Sequence, residues 1–257
     1  RAWFLSVHCT LHFNMSDDNS DAQVDSDTDD NTKSTAPPPD LDLSKVFEVA
    51  SKLKSAQLNK IRKEYDNSPP FIKATQVYAE RCNEWKDLSI EDKLSNCQTF
   101  KDKGNKCFNQ KDYTNALNHY SHAISIFRYF EKKDERGEHL ELKDYISDGY
   151  TIDASSIQFW GDANNYQQAK TLLISLLSNC AAVCLALREH ANVVWCCESV
   201  LKYDECNVKA LYRLCQSHQQ LDTTYDLECA LKYIGKAKKI DARNKAVVAK
   251  WHEIKQI

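Results

Sequence analysis

The sequence has little glycine and proline, and it lacks the glycine-rich phosphate motifs. Its 257 residues include 5 Gly and 5 Pro, which argues against sandwiches and barrels that need many tight turns. Neither G-x-G-x-x-G nor G-x-x-x-x-G-K-[ST] occurs, so we expect no nucleotide cofactor. No run of 18 apolar residues exists, so the sequence predicts no membrane partner. A formal net charge of −3 gives no reason to expect a nucleic-acid surface.

The number and spacing of the cysteines indicate neither a disulfide framework nor a metal site. There are 11 of them, an odd number at irregular intervals, with no C-x-x-C pair. Secreted domains that depend on disulfides use even, regularly spaced sets. We therefore expect reduced, buried cysteines, no bound metal, and a reducing compartment, most simply the cytoplasm.

The first 40 residues differ sharply from the rest of the chain. Met15 is the only methionine, and the apolar residues 1–14 precede it. We interpret residues 1–14 as translated upstream sequence, with a fragment of a longer chain as the alternative. Residues 16–40 hold eight Asp and one Lys, a net charge of −7, with almost no apolar side chains. Such a segment cannot bury enough surface to fold, so residues 15–40 are predicted to be a disordered acidic tail.

The remainder of the chain reads as a succession of helices. Apolar residues recur at helical spacing over 41–65, and the sequence Asn67-Ser68-Pro69-Pro70 ends that helix before another over 71–85. Residues 41–93 are thus predicted to be a helical N-terminal region. Ser89 is placed to cap the next helix, and Lys111-Asp112 to end it.

Three helix pairs follow, and the first carries a recognisable pattern: Phe100-x-x-x-Gly104-Asn105-x-x-Phe108, then Tyr113-x-x-Ala116-x-x-x-Tyr120-x-x-Ala123. It resembles a tetratricopeptide repeat (TPR), a 34-residue helix pair with small residues where its helices cross. A second unit begins near Leu176 and turns at Arg188-Glu189-His190. A third begins at Val208, in phase because Asn179 and Arg213 lie 34 apart. Residues 245–257 are predicted to form a capping helix that packs Val248, Trp251 and Ile254 inward.

The resemblance implies an all-α fold: a three-repeat, right-handed TPR solenoid over residues 94–257. Asn105 and Asn179 lie 74 apart, so about 40 residues are inserted between units one and two. We expect helical extensions at 127–133 and 166–178. The insertion at about 134–165 is predicted to be a long surface loop, either inert or a lid over the groove. Its anchors would be Tyr150, Ile152, Ile157, Phe159 and Trp160.

Five polar residues occupy matching positions on the first helices of the three units. Lys101 and Asn105 are four apart, Lys209 and Arg213 are four apart, and Asn179 lies between them in the repeat order. Residues at this spacing share a helix face. Three cations and two amides could hold two adjacent carboxylates.

This set resembles the dicarboxylate clamp of TPR co-chaperones, and residues 176–213 are most similar to the repeats of large FK506-binding immunophilins. The resemblance implies that the five residues bind the C-terminal Glu-Glu-Val-Asp tail of heat-shock chaperones of the ninety- or seventy-kilodalton classes. It also implies that Phe108 borders the valine pocket. A second protein partner would contact residues 41–93.

Two alternatives stay open. The array could be a TPR scaffold that binds another protein segment, or the targeting half of a truncated peptidyl-prolyl isomerase or phosphatase. No catalytic set is visible, since His119 and His122 lack a nearby nucleophile and are taken as surface residues. We therefore expect an adaptor and not an enzyme.

Overall fold

The computed structural model describes residues 43–77, 84–85, 87–132, 140–146, 154–221 and 223–257. The predicted upstream segment 1–14 and acidic tail 15–40 lie outside these residues. The chain divides into two compact units, Arg1–Lys63 and Glu64–Ile257. Residues 43–63, the greater part of helix α1 (Leu43–Asn67), are the described part of the first unit. The apolar stripe of α1 is exposed to solvent at Val46, Phe47, Val49 and Leu53.

The second unit is a row of helices interrupted by one β-hairpin. Its elements are α2 (Pro70–Val77), α3 (Ile90–Asn109), α4 (Tyr113–Ile124), β1 (Arg128–Lys132), β2 (Leu140–Asp144), α5 (Ala154–Trp160), α6 (Ala163–Ala186), α7 (His190–Tyr203), α8 (Val208–Leu221), α9 (Thr224–Ile240) and α10 (Lys245–Lys255). Helices α3 and α4, α6 and α7, and α8 and α9 form three packed pairs, and neighbouring pairs contact one another. The predicted three-repeat helical array with a terminal capping helix is confirmed.

The turns inside the first two repeats have the same backbone geometry. Lys111 and Arg188 adopt φ values of 62° and 60°. The amide of the following residue donates to a carbonyl five positions earlier, from Asp112 to Cys107 and from Glu189 to Cys184, both at 2.9 Å. This is the Schellman arrangement, which satisfies the last carbonyls of a helix. The turns predicted at these two positions are therefore confirmed.

Side-chain caps fix where several of the helices begin. The Ser89 hydroxyl accepts a hydrogen bond from the Asp92 amide at 3.0 Å, which confirms it as the cap of α3. Asp162 caps α6 in the same way, with its Oδ1 atom 2.7 Å from the Asn165 amide. Because of that cap, α6 starts 13 residues before Leu176, and the predicted helical extension over 166–178 is part of it.

The insertion differs from the predicted loop. Residues 128–132 form β1 instead of extending a helix, and they pair antiparallel with β2, with Arg128 opposite Asp144. The pairing continues one residue beyond the strands, where the Tyr145 amide donates to the Phe127 carbonyl at 3.0 Å. Helix α5 then brings Trp160 into the core, where its Nε1 atom donates to the Tyr145 carbonyl at 2.9 Å.

Two of the expected anchors of the insertion, Phe159 and Trp160, do pack inward. The Phe159 ring stacks on Tyr145 with centroids 3.4 Å apart, and Trp160 is fully buried against Phe127. Ile157 is half-buried. The anchors proposed at 150 and 152 lie outside the described residues. The described part of the insertion therefore packs on the array.

Helix α6 is the central helix of the array. Among the described residues it is the one helix with the length and hydropathy to span a membrane, at a mean hydropathy of 1.7. Half of that stretch is buried inside the protein, and α6 contacts both neighbouring helix pairs. Its composition is thus accounted for by its place in the core.

The third repeat and α10 share a second core cluster: Leu211, Cys215, Ala230, Ile234, Ala237, Val247 and Ile254. The predicted inner face of the capping helix is correct at Ile254. Val247 is buried in place of Val248, which is half-buried. Trp251 is also half-buried, because the ammonium groups of Lys238 and Lys255 lie over its ring at 3.3 and 4.2 Å.

Candidate functional site

Two of the five predicted site residues are in direct contact. The Nδ2 atom of Asn179 on α6 donates to Oδ1 of Asn105 on α3 at 3.0 Å. The hydroxyl of Tyr120 on α4 donates to the same oxygen at 2.9 Å. Three helices of two repeats therefore meet at one amide oxygen. This leaves the Asn105 Nδ2 group without a hydrogen-bond partner among the described residues, available to an acceptor.

Gly104 explains how Tyr120 can reach Asn105. A Cβ atom at Gly104 would lie 2.7 Å from Cδ1 of the Tyr120 ring, well inside van der Waals contact. Only the missing side chain lets the ring lie against the α3 backbone. Burial raises the pKa of Tyr120 to about 12, so its hydroxyl stays protonated and donates at neutral pH. The small position predicted at Gly104 thus serves both helix packing and the orientation of Asn105.

Lys101 lies one turn before Asn105 on α3. It lines an open groove of about 800 Å³ between α3 and α6. Lys101 forms no ion pair with a carboxylate of the described residues. Its charge therefore faces the groove, and a carboxylate ligand would not have to displace a described partner.

Lys209 and Arg213 lie on the first two turns of α8. The Asn207 side chain caps this helix by accepting from the Ala210 amide at 3.0 Å. Both cations line a second pocket, of about 330 Å³, between α8 and α10, together with Tyr212 and Val247. Arg213 is half-buried, and its Nη1 atom is buried with no hydrogen-bond partner among the described residues. A guanidinium group that lines such a pocket can donate hydrogen bonds to a carboxylate ligand.

The structure therefore brings some of the five predicted site residues into direct contact and places the others only on neighbouring helices. Asn105 and Asn179 are bonded, Lys101 shares a helix with Asn105, and Lys209 and Arg213 lie on α8, which contacts α6. The simultaneous contact of all five with one ligand stays a prediction.

The aromatic and histidine residues near the site have packing partners. Phe108 is half-buried with its ring 5.7 Å from that of Tyr113, and its predicted place beside a valine pocket stays a prediction. His119 and His122 are half-buried, and their rings lie 6.1 and 5.4 Å from Phe100. Both side chains keep part of their surface exposed, so their interpretation as surface residues stays a prediction.

Sequence reasoning missed two features. It did not foresee the hydrogen bond from Tyr120 to Asn105, although a glycine next to Asn105 was a usable signal. It also did not foresee the polar groove beside Lys101, because that groove depends on the early start of α6. Within the part of the chain that is described, no cluster of metal-ligating residues occurs.

Fold and site together define a helical-repeat domain whose first helices present amides and cations. Solved structures to which it is similar include TPR domains. One is the C-terminal TPR-containing domain of a Plasmodium falciparum FK506-binding protein, at 20% identity and a TM-score of 0.49, over 67% of this chain and 94% of that one. Another is the first TPR domain of Spaghetti (RPAP3) bound to an HSP90 peptide, at 17% identity and 0.42, over 63% and 92%.

A third similar structure is the Hsp90 co-chaperone Cns1 from Saccharomyces cerevisiae, at 22% identity and a TM-score of 0.43, over 62% of this chain and 38% of that one. No protein-family model matches the sequence. The repeat architecture of this chain is established by its own helix pairs and their contacts.

Proposed function

We propose that this chain is a cytoplasmic chaperone adaptor, without enzymatic activity of its own, that binds the C-terminal Glu-Glu-Val-Asp tail of heat-shock chaperones. Lys101, Lys209 and Arg213 supply positive charge, and Asn105 and Asn179 supply neutral donors. The ligand groups are the terminal carboxylate and the side chain of the last Asp.

The observation that carries the proposal is a set of unused donors. Arg213 Nη1 is buried without a partner among the described residues. The Asn105–Asn179 bond leaves the Asn105 amide group free and holds it in one orientation. Arg213 also lines the pocket between α8 and α10, and a hydrogen bond from a charged donor to a carboxylate is worth about 1.5–3 kcal/mol.

Free-acid and amidated peptides test the proposal by calorimetry. Each charged hydrogen bond is worth about 1.5–3 kcal/mol, and losing one lowers affinity roughly 10- to 100-fold. Because the groove is open to water, we expect the lower end of this range. Lys209→Glu weakens binding more than Lys209→Ala, since a carboxylate then faces carboxylates.

Lys106→Ala is a matched control for Lys101→Ala. Both lysines lie on α3, but Lys106 is exposed five positions further along and does not line the groove. Removing either one changes the net charge equally, so only a local contact distinguishes them. We expect a loss for Lys101→Ala and almost none for Lys106→Ala. Equal effects would mean that the tail is attracted only by overall charge.

A double-mutant cycle separates the clamp from its rivals. Amidation of the peptide and the Lys101→Ala/Asn105→Ala change delete the same interaction, so their losses should not add. A TPR scaffold for an internal segment would bind acid and amide equally. That result would overturn the proposed function.

A further inference from the structure

The last two helices of the array carry a concentration of positive charge. Residues 232–255 include seven Lys and one Arg against one Asp and one Glu, a net charge of +6 in a chain whose net charge is −3. Lys232, Lys236 and Lys239 on α9 are all exposed. We name these three residues the basic face.

The basic face points away from the core of the array. Its members are four and three positions apart, so they form one row along α9. The buried residues of α9 are Ala230, Ile234 and Ala237. At 3.6 residues per turn, they lie about 140–200° around the helix from Lys232. The pocket of Lys209 and Arg213 lies between α8 and α10, so the basic face is separate from the proposed carboxylate site.

The charges of the basic face are not neutralised within the described part of the chain. None of its three lysines forms an ion pair with a described carboxylate. Glu228, one turn before Lys232 on the same side of α9, is exposed and forms no ion pair with it. Lys250 differs, since it pairs with Glu253 at 2.7 Å. A carboxylate ligand at the basic face would therefore displace no described partner.

The helix dipole accounts for only part of this charge. Lys238 and Lys239 lie in the last turn of α9, where a cation stabilises the helix. Lys232 and Lys236 lie before that turn, and the effect of the dipole falls off beyond it. Their charge therefore needs another explanation than helix stability.

Positive charge continues toward α10 in an arrangement that attracts an anion. The ammonium groups of Lys238 and Lys255 both lie over the Trp251 ring, 3.3 and 4.2 Å from its centroid. The ring attracts each cation, but the two cations repel each other. Neither forms an ion pair with a described carboxylate. An anion placed beside them would be attracted to both.

The chemistry of this surface favours the carboxylates of a polypeptide over nucleic acid or lipid. Arginine, whose planar fork suits phosphate, contributes one of the eight cations, and the others are lysines. Lys238 and Lys255 already occupy the Trp251 ring, which a nucleic-acid base would need for stacking. The apolar sides of α9 and α10 are buried in the second core cluster, so neither helix offers an apolar face to a lipid surface.

The spacing of the basic face indicates the kind of segment that fits it. Lys232 and Lys236 are about 6 Å apart along the helix, and Lys236 and Lys239 about 4.5 Å, at 1.5 Å per residue. Alternate side chains of an extended chain lie on one side, about 6.6 Å apart. The long lysine side chains can absorb the difference, so three acidic residues at alternate positions can each face one lysine.

We infer that the basic face binds an extended acidic segment of a partner protein, with Asp or Glu at alternate positions. It is a second protein-binding surface that goes beyond the proposed function, and it needs no free C-terminus. Exposed ion pairs are individually weak, so binding depends on several of them and falls as salt rises.

The test measures, by fluorescence anisotropy on the full chain, the binding of a labelled peptide of alternating Glu and Ser with both ends blocked. Each exposed ion pair is worth about two- to threefold in affinity. Lys232→Gln/Lys236→Gln/Lys239→Gln should therefore lower affinity about tenfold. Arginine at the same three positions keeps the charge and should keep the affinity. A peptide of alternating Gln and Ser should not bind, and binding as tight as that of the acidic peptide would overturn the inference.

Lys54→Gln/Lys63→Gln/Lys106→Gln is the matched control, because it removes three exposed lysines from other helices. It changes the net charge by the same amount and should bind the acidic peptide as the wild type does. Equal losses in the two triple variants would overturn the inference, since the attraction then comes from overall charge. Tighter binding of polyuridylate or of phosphatidylserine vesicles, with the same dependence on the basic face, would also overturn it, since the partner is then not a polypeptide.

Lys101→Ala/Asn105→Ala separates this inference from the proposed function. This variant should bind the blocked acidic peptide as tightly as the wild type does. A loss of affinity would place the peptide in the carboxylate site and overturn the inference. If instead the free-acid chaperone tail and its amide bind equally, the proposed function fails and the basic face is unaffected.

Discussion

Because Tyr120 lies close to Gly104, we expect Gly104→Ala and Gly235→Ala to change the free energy of unfolding in opposite directions. A helical Gly→Ala change by itself stabilises by about 1 kcal/mol. At Gly235 on α9, an added Cβ meets no heavy atom within 4 Å, so Gly235→Ala should raise the free energy of unfolding by about that amount. At Gly104, the added Cβ lies 2.7 Å from Cδ1 of a ring that is 2% exposed.

The Tyr120 ring cannot move aside without loss, because its hydroxyl bonds to Asn105 and its faces are packed. Overpacking of this kind costs roughly 1–3 kcal/mol, and a contact this short belongs at the upper end. After the gain in helix propensity, Gly104→Ala is expected to destabilise by about 2 kcal/mol. For a domain of this size, each kcal/mol shifts the melting temperature by about 2–4 °C.

Thermal unfolding of the two variants beside the wild type measures the difference. We expect a lower midpoint for Gly104→Ala and a higher one for Gly235→Ala. Peptide affinity should fall only in Gly104→Ala, because displacement of Tyr120 releases Asn105. If Gly104→Ala raises the midpoint as much as Gly235→Ala, the helix approach at Tyr120 is not tight and our account of Gly104 is refuted.

Three further outcomes are expected. Tyr120→Phe frees Asn105 to rotate and should weaken tail binding about three- to tenfold in calorimetry, with a smaller effect on the amidated peptide. Hydrogen bonds from Thr223 and His218 lower the pKa of Asp226, so its stabilising effect is present above the ordinary aspartate pKa and is lost as pH falls through the lowered value. Urea midpoints of wild type and Asp226→Asn should therefore converge as pH falls from 6 toward about 3. Thiol labelling followed by mass spectrometry should modify the exposed Cys206 quickly and, until the chain unfolds, spare the buried set: Cys97, Cys180, Cys184, Cys196, Cys197 and Cys215. Fast labelling of Cys97 in the native state would contradict its burial, which raises its pKa to about 12.

Local sequence signals were sufficient for several of the helix ends. Ser89 caps α3 because a hydroxyl and the amide three residues later meet whenever a helix begins there. The turns at Lys111 and Arg188 and the start of α8 at Val208 were likewise predicted correctly. The 34-residue spacing of Asn179 and Arg213 placed these two residues at matching positions of units two and three, because each repeat packs in the same way on its neighbour.

The insertion was predicted less well because its structure depends on distant contacts. Residues 128–132 have no helix-breaking residue, and they form a strand because residues 140–144 pair with them. A strand needs a partner, and short-range periodicity does not reveal which segment supplies it. The buried position of Trp160 was foreseen, but the hairpin that holds it was not.

The sequence by itself determined the repeat, its small positions and the types of residue that its first helices present. Only the tertiary structure decided that the Tyr120 hydroxyl and the Asn179 amide would converge on one oxygen of Asn105. The early start of α6, set by Asp162, likewise created a groove that no single helix contains. Helical periodicity specifies the face on which a side chain lies, whereas an interhelical hydrogen bond depends on the spacing and register of two helices, which packing alone establishes.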